Sequence, residues 1–439
     1  MKFIKTSNFE EALNEIKNDK NNCLAALYEK KTTSISGILS NTVFTIKDNY
    51  ATKDKITTAS SLMLKNFKPL YNATIIDKLL HEGANPVAKV YCDELALGGT
   101  GKHSAFGLIR NPHDKERLAG GSSSGSVATF TDKISFSIGS DTGDSVRLPG
   151  SFNGVPGFKP SYGAISRYGL FSFASSLDTV AFFAHNVNDI AVISQVLFGK
   201  DDKDMTSLNI EINNIEKTKP EKIGVLDVTG LEEFVSLEYK KLVDVLSKQT
   251  NIEMIKPDED LLRAIKPVYE IISFSEASSN LANLSGIGFG TREFGKNWEE
   301  IMTNSRSEGF GKMVQIRLAL GSFFLHSENQ EEMFLKAQKV RRLIKNYYDD
   351  LHRKYDIIIY PASSDVAPFI DDTKNKDHGY MEYILTGANL VGNPSLSLPW
   401  IKKDNLFVNL SIDSLIYTDK KLLSHALWLE DFLRGDKNE

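Results

Sequence analysis

Three short stretches carry side chains whose types and spacing could do chemistry. The first, "GSDTGDSVRLPG" (139–150), sets Ser145 behind a turn of short residues. Acyl transfer to a serine needs N–H donors aimed at the oxyanion that develops on the carbonyl oxygen, and a glycine-containing turn supplies them from its backbone. Here they would be the amides of Thr142, Gly143, Asp144 and Ser145. The second, "GGSSSGS" (120–126), opens its backbone to close approach. It suits a flexible loop, a helix N-cap or a phosphate cradle, although the Lys-Ser/Thr ending of a P-loop is missing. Gly121 to Gly125 also spells G-x-S-x-G, which would make Ser123 the serine of a nucleophile elbow. An elbow follows a strand directly, whereas the preceding "NPHDKERLAG" is polar and turn-like. The third is Lys47 in "FTIKDN". An ammonium among strand residues is costly to bury. It is either an edge-strand lysine facing water or a lysine held neutral as a general base, because burial lowers a lysine pKa from about 10.4 by as much as several units.

The elements that must position these residues follow from periodicity. "NTVFTIKDN" (41–49) is strand-like, with Val43, Thr45 and Lys47 on one face and Phe44 and Ile46 on the other. "ATIIDKLLHEGANPVAKVYCDEL" (73–95) predicts a helix ending at Gly83 and a strand over 86–90, a βα unit. Residues 116–143 predict a Gly/Ser loop, a short helix and a strand in which Ile134, Phe136 and Ile138 alternate. "EKIGVLDV", "YDIIIYPA" and "NLFVNLSI" predict further strands, 331–355 a long amphipathic helix and 420–434 a closing helix. Residues 1–30 read as one or two polar helices, so 1–40 is expected to be a helical N-terminal segment. The stretch 230–330 reads as a mainly helical insertion. The whole, 1–439, is expected to form a single large α/β domain with a mixed central β-sheet flanked by helices.

Composition narrows the classes. Net charge is −5 over 439 residues, so no basic nucleic-acid groove is evident. Two cysteines, Cys23 and Cys92, and eight scattered histidines give neither a disulfide framework nor a zinc spacing, so no metal is expected. The opening "MKFIKTSNFEEALNEIKNDK" lacks the apolar core of a signal peptide, and no run of about 18 apolar residues occurs. The expected location is the cytoplasm, without membrane attachment.

Together the three stretches have the wording and order of the amidase signature family. The resemblance runs through "IKDNYATKDKITTASS", "DELALGGTGKHSAFGLIRNP", "AGGSSSGSVA" and "GSDTGDSVRLPGSFNGVPGFKPSYGAISRYGL". It implies that Lys47 is the base, Ser122 a bridging serine after a cis peptide bond, and Ser145 the nucleophile. Asp144 departs from the family's glycine, setting a carboxylate near the oxyanion unless it points away or is paired, with Arg147 the nearest partner in sequence. The interval from Ser122 to Ser145 is one residue short, in the surface-like "TFTDK" turn, and Ser124 replaces a usual glycine.

Within the family the second half resembles the glutaminase subunits of tRNA-dependent amidotransferases, through "SFSEASSNLANLSGIGFG", "SRSEGFGKMVQIRLALGS" and "KAQKVRRLIKNYYDDL". That resemblance implies glutamine as substrate, with Arg317 on its α-carboxylate, Glu382 (where the family has aspartate) on its α-ammonium, and Tyr269 nearby. It implies no cofactor in this chain, with ATP and Mg at a tRNA-binding B subunit. It also implies a small C subunit, and contact with tRNA only through the complex. A free-standing acylamide hydrolase is the alternative; a degenerate, non-catalytic assembly component is a further one.

Overall fold

The computed structural model describes residues 1–435. Eleven strands form one sheet: β1 (Leu24–Leu27), β2 (Val43–Lys47), β3 (Asn85–Val90), β4 (Phe136–Asp141), β5 (Gly157–Lys159), β6 (Thr179–Ala184), β7 (Lys222–Leu226), β8 (Asn251–Ile255), β9 (Ile357–Pro361), β10 (Ser395–Lys403) and β11 (Leu406–Asp413). Their order is β1-β3-β2-β4-β6-β5-β10-β11-β9-β7-β8. The sheet is mixed, as expected: β2 runs parallel to β3 and β4, β7 parallel to β8 and β9, and the remaining pairs are antiparallel. Helices flank it, making the fold α/β. No helix among the described residues is long and apolar enough to cross a membrane.

The predicted βα unit is present. Residues Thr74–His81 are helical, Gly83 turns the chain at φ +87°, and β3 follows. All five residues of β2 are buried, so both faces of this strand are covered rather than one. That is the usual state of a strand with parallel neighbours on both sides. Phe44 stacks on Phe136 of β4 at 4.9 Å between ring centroids, which fixes the register of the two strands. Parallel pairing has a consequence for chemistry. The C-terminal ends of β2, β3 and β4 emerge on one edge, bringing Lys47, the 91–93 segment and the 140–145 turn together, where open parallel sheets place their ligands.

Two sequence expectations change. The 1–40 segment is not helical throughout. Phe9–Lys17 is a helix capped by Asn8, but Leu24–Leu27 is strand β1, antiparallel to β3. Its "LAAL" has helical propensity; pairing with an open sheet edge overrides it. The 230–330 stretch is not wholly an insertion either. Glu233–Leu246 is the crossover helix that carries the chain from β7 to the parallel β8, so this part belongs to the sheet. The helices Glu259–Asn280 and Lys312–Leu325 then leave it and pack against each other on an apolar cluster that includes Ile265, Val314 and Leu318, while Trp298–Gly309 packs on the turn Leu62–Leu64.

Candidate active site

Lys47 ends β2, and its side chain is fully buried. Its Nζ donates to the hydroxyls of Ser122 at 2.7 Å, Ser140 at 2.9 Å and Ser123 at 3.1 Å, and lies 3.4 Å from the Ser140 carbonyl. No carboxylate among the described residues pairs with it. Burial therefore pushes the ammonium down from 10.5 to about 8, against the weaker upward pull of Cys92, Asp93, Asp141 and Asp178. The water-facing alternative for Lys47 is excluded.

The loop that presents Ser122 is held from behind by Asp93. Its carboxylate accepts from the backbone N–H of Thr100 (3.0 Å), Gly101 (3.1 Å) and His103 (2.9 Å), and its own N–H donates to the Ser122 carbonyl at 3.2 Å. Gly121 has no room for a side chain, since a Cβ there would lie 2.2 Å from Asp93 Oδ2. The Gly121–Ser122 peptide bond is cis. Ser123 is not free to act as an elbow nucleophile. Its hydroxyl donates to the Ser140 carbonyl at 3.1 Å and accepts from Lys47 and from the Ser140 N–H at 3.3 Å. The loop follows no strand directly, and a helix of only five residues, Ser124–Ala128, comes after it. The "TFTDK" turn is at the surface, with Thr131 and Asp132 exposed.

Ser145 sits on the adjoining turn after β4, and its carbonyl accepts from Ser123 N–H at 3.2 Å. Among the described residues, no acceptor takes the N–H groups of Thr142, Gly143, Asp144 or Ser145, whereas those of Val146 and Arg147 donate to Asp141. Four adjacent backbone donors are thus left open beside the serine hydroxyl. The turn is braced by Arg147, fully buried, which forks onto Asp141 at 3.0 and 3.2 Å and also donates to the Gly143 and Leu385 carbonyls, Ser395 and Asn389. Burial opposes the Asp141 charge, yet this guanidinium holds its carboxyl below the usual range. Thr142 Oγ1 is tied to Asp178 at 2.8 Å.

Arg147 is therefore the partner of Asp141 and not of Asp144, correcting the sequence expectation. A bidentate fork onto the carboxylate at the end of β4, with carbonyls and side-chain oxygens around it, satisfies the guanidinium's planar donors. The Asp144 carboxylate has no hydrogen-bond or ion-pair partner among the described residues. Burial and the neighbouring Asp141 raise its carboxyl to about 7, with Arg147 opposing.

The three predicted substrate contacts lie around this turn in different states. Tyr269, on the helix Glu259–Asn280, packs on Gly143, where a Cβ would be 3.0 Å from its Cζ and Oη. Arg317, on the helix Lys312–Leu325, lies over the Phe274 ring at 5.0 Å and is partly exposed. Glu382 is exposed on the rim of a groove of about 470 Å³ that is also lined by Gly99, Thr100, Leu148 and Met381. Ser140, Asn49 and Asp93 were not foreseen. Ser140 Oγ accepts from both Lys47 and Asn49 Nδ2 (3.0 Å). Only the parallel pairing of β2 with β4 brings it to Lys47, so no local pattern marks it. Glu232, Asp365 and His378 could approach a common metal ligand position, but Glu232 is already paired with Lys376 at 2.7 Å.

A buried amine of lowered pKa, a bridging hydroxyl, a second serine and open backbone donors can together deprotonate a hydroxyl and stabilise an oxyanion. The sequence has known counterparts. The family model "Amidase" matches residues 4–423. The A subunit of glutamyl-tRNA(Gln) amidotransferase from Mycoplasma genitalium is 39% identical, covering 90% of this chain and 86% of that protein. The protein of the same name from a Sulfurihydrogenibium species is 41% identical, covering 87% and 81%. The crystal structure of the Thermotoga maritima protein, again the A subunit of glutamyl-tRNA(Gln) amidotransferase, superposes with a TM-score of 0.80 at 32% identity, covering 95% of this chain and 89% of that one. With a family match over nearly its whole length and this site at the C-terminal edge of its parallel strands, the chain belongs to the amidase family.

Proposed function

We propose that this chain is the glutamine-hydrolysing subunit of a tRNA-dependent amidotransferase, working as one amidase domain in the cytoplasm. The observation that carries the reading is the buried Lys47, lowered to about 8 and 2.7 Å from Ser122. Neutral Lys47 accepts the Ser122 proton while Ser122 accepts that of Ser145, and Ser145 Oγ attacks the glutamine carboxamide. The oxyanion is held by the open N–H groups of the 142–145 turn. The relay runs back to protonate the leaving nitrogen, ammonia departs, and water attacks the acyl-serine by the same route to release glutamate. A chain of hydroxyls can pass the proton without histidine, provided the terminal amine is neutral.

The named relatives support the destination of the ammonia. It would pass to a B subunit that binds tRNA and, with ATP and Mg, activates Glu-tRNA(Gln), or Asp-tRNA(Asn), with a small C subunit in the assembly. Arg317 and Glu382 would grip the two charged ends of glutamine, with Tyr269 between them and the nucleophile. The test is covalent. An electrophilic glutamine analogue should acylate or alkylate Ser145, as read by peptide mass spectrometry, and ammonia release should rise when the B and C subunits are added. Labelling at Ser123 would overturn Ser145 as the nucleophile in favour of the elbow; a preference for simple acylamides with no response to partners would replace this reading by the free-standing amidase.

A further inference from the structure

Two opposite charges near the nucleophile have no partner among the described residues. Asp144 precedes Ser145 and finds no donor, because Arg147 spends its donors on Asp141, Gly143, Leu385, Ser395 and Asn389. Arg317 rests on the face of Phe274 and forms no ion pair there. Both bear on the same phenol. Burial raises Tyr269; of the charges around it, Arg317 pulls it back and Asp144 pushes it further up. Tyr383 is raised by burial and then by Glu270 and Asp144, and is again lowered by Arg317. Tyr269 itself lies on Gly143, the residue before Asp144. The wall beside Ser145 thus holds a free guanidinium and a free carboxyl around one tyrosine, too far apart to pair with each other.

A part-buried carboxyl without a donor is unfavourable until a ligand supplies one. The complement of this wall is a molecule carrying one carboxylate and one ammonium. We infer that Asp144 binds the α-ammonium of the amino-acid amide substrate, opposite Arg317 on its α-carboxylate, and so sets selectivity for α-amino acid amides. The inference rests on the glutaminase reading and deepens it. It moves the ammonium contact from exposed Glu382 on the groove rim to the turn that carries the nucleophile. It also accounts for how a carboxyl is tolerated beside the oxyanion donors. The arriving ammonium neutralises it, whereas a substrate without that group leaves it opposing the transition state.

The test compares kcat/KM for L-glutamine with that for glutaramate, the same amide lacking the α-amino group, in the full-length chain with its partner subunits. The ratio within one variant cancels general damage. It is expected to favour glutamine in the wild type and to fall by about tenfold or more in both Asp144→Asn and Asp144→Gly, the loss of one charge-assisted contact. A ratio that survives both changes, or that collapses only in Glu382→Gln, overturns the inference and leaves the glutaminase reading standing. A wild type that favours glutaramate overturns both. Where a variant loses turnover on both amides, the same ratio is read as dissociation constants by calorimetry in the Ser145→Ala background, with the same criteria.

Discussion

The protonation of Lys47 is the sharpest handle on the mechanism. Lowering its pKa from 10.5 to about 8 corresponds to about 3 kcal/mol against the charged form. At pH 6 about 1% of the side chain is neutral, and at pH 8 about half. If the neutral amine is the base, kcat/KM for glutamine should rise about 50-fold between pH 6 and pH 8 and level off above. Ammonia release measured by a coupled assay from pH 5.5 to about 9 checks this. Lys47→Arg keeps the positive charge but cannot shed the proton, and should lose about 10²–10⁴-fold in turnover across the whole range. Stability follows with its own sign. The folded-state pKa of this base is depressed, so folding bears the full cost below pH 8, and the cost fades as pH climbs from 8 to 10.5. Lys47→Met relieves that cost but strands the Ser122 hydroxyl, at about 1–3 kcal/mol, while Ser140 keeps its bond from Asn49. The two effects are of similar size, so this variant should stay folded while inactive. A flat pH profile, or one that falls from pH 6 to 8, would refute neutral Lys47 as the base. So would a Lys47→Arg enzyme with wild-type turnover.

Three further outcomes are expected. Arg147→Met leaves Asp141 buried and uncompensated, and should lower stability by about 3–5 kcal/mol, seen as a fall in the denaturation midpoint. Gly121→Ala sets a methyl 2.2 Å from Asp93 Oδ2, an atom of a carboxylate pinned by three backbone N–H groups, so activity should collapse even where the circular dichroism spectrum keeps its native shape. Arg317→Met should raise KM for glutamine far more than it changes kcat, because in the proposed complex the guanidinium would hold a part of the substrate remote from the scissile bond; an unchanged KM would place the carboxylate elsewhere.

Much of this molecule is written locally. The glycine-serine loops of 120–126 and 139–145, the strand that closes on the lysine of "FTIK" and the helix–turn–strand from Thr74 to Val90 are set by neighbours in the chain, and the sequence predicts these elements correctly. Periodicity also names most strands, since an apolar run of five or six residues must be covered on both faces wherever it lies. What the sequence does not hold is partner choice. Leu24–Leu27 becomes a strand because β3 offers an open edge, and Asn251–Ile255 joins the sheet because β7 does. Ser140 becomes a hydrogen-bond partner of Lys47 because β2 and β4 run parallel, and Ser123 is locked by the same contact. Arg147 stands three residues from Asp144 and six from Asp141, yet takes Asp141. The turn folds the farther carboxylate under the guanidinium and leaves the nearer one without a donor. A charge pairs by distance and direction in space, and chain separation fixes neither.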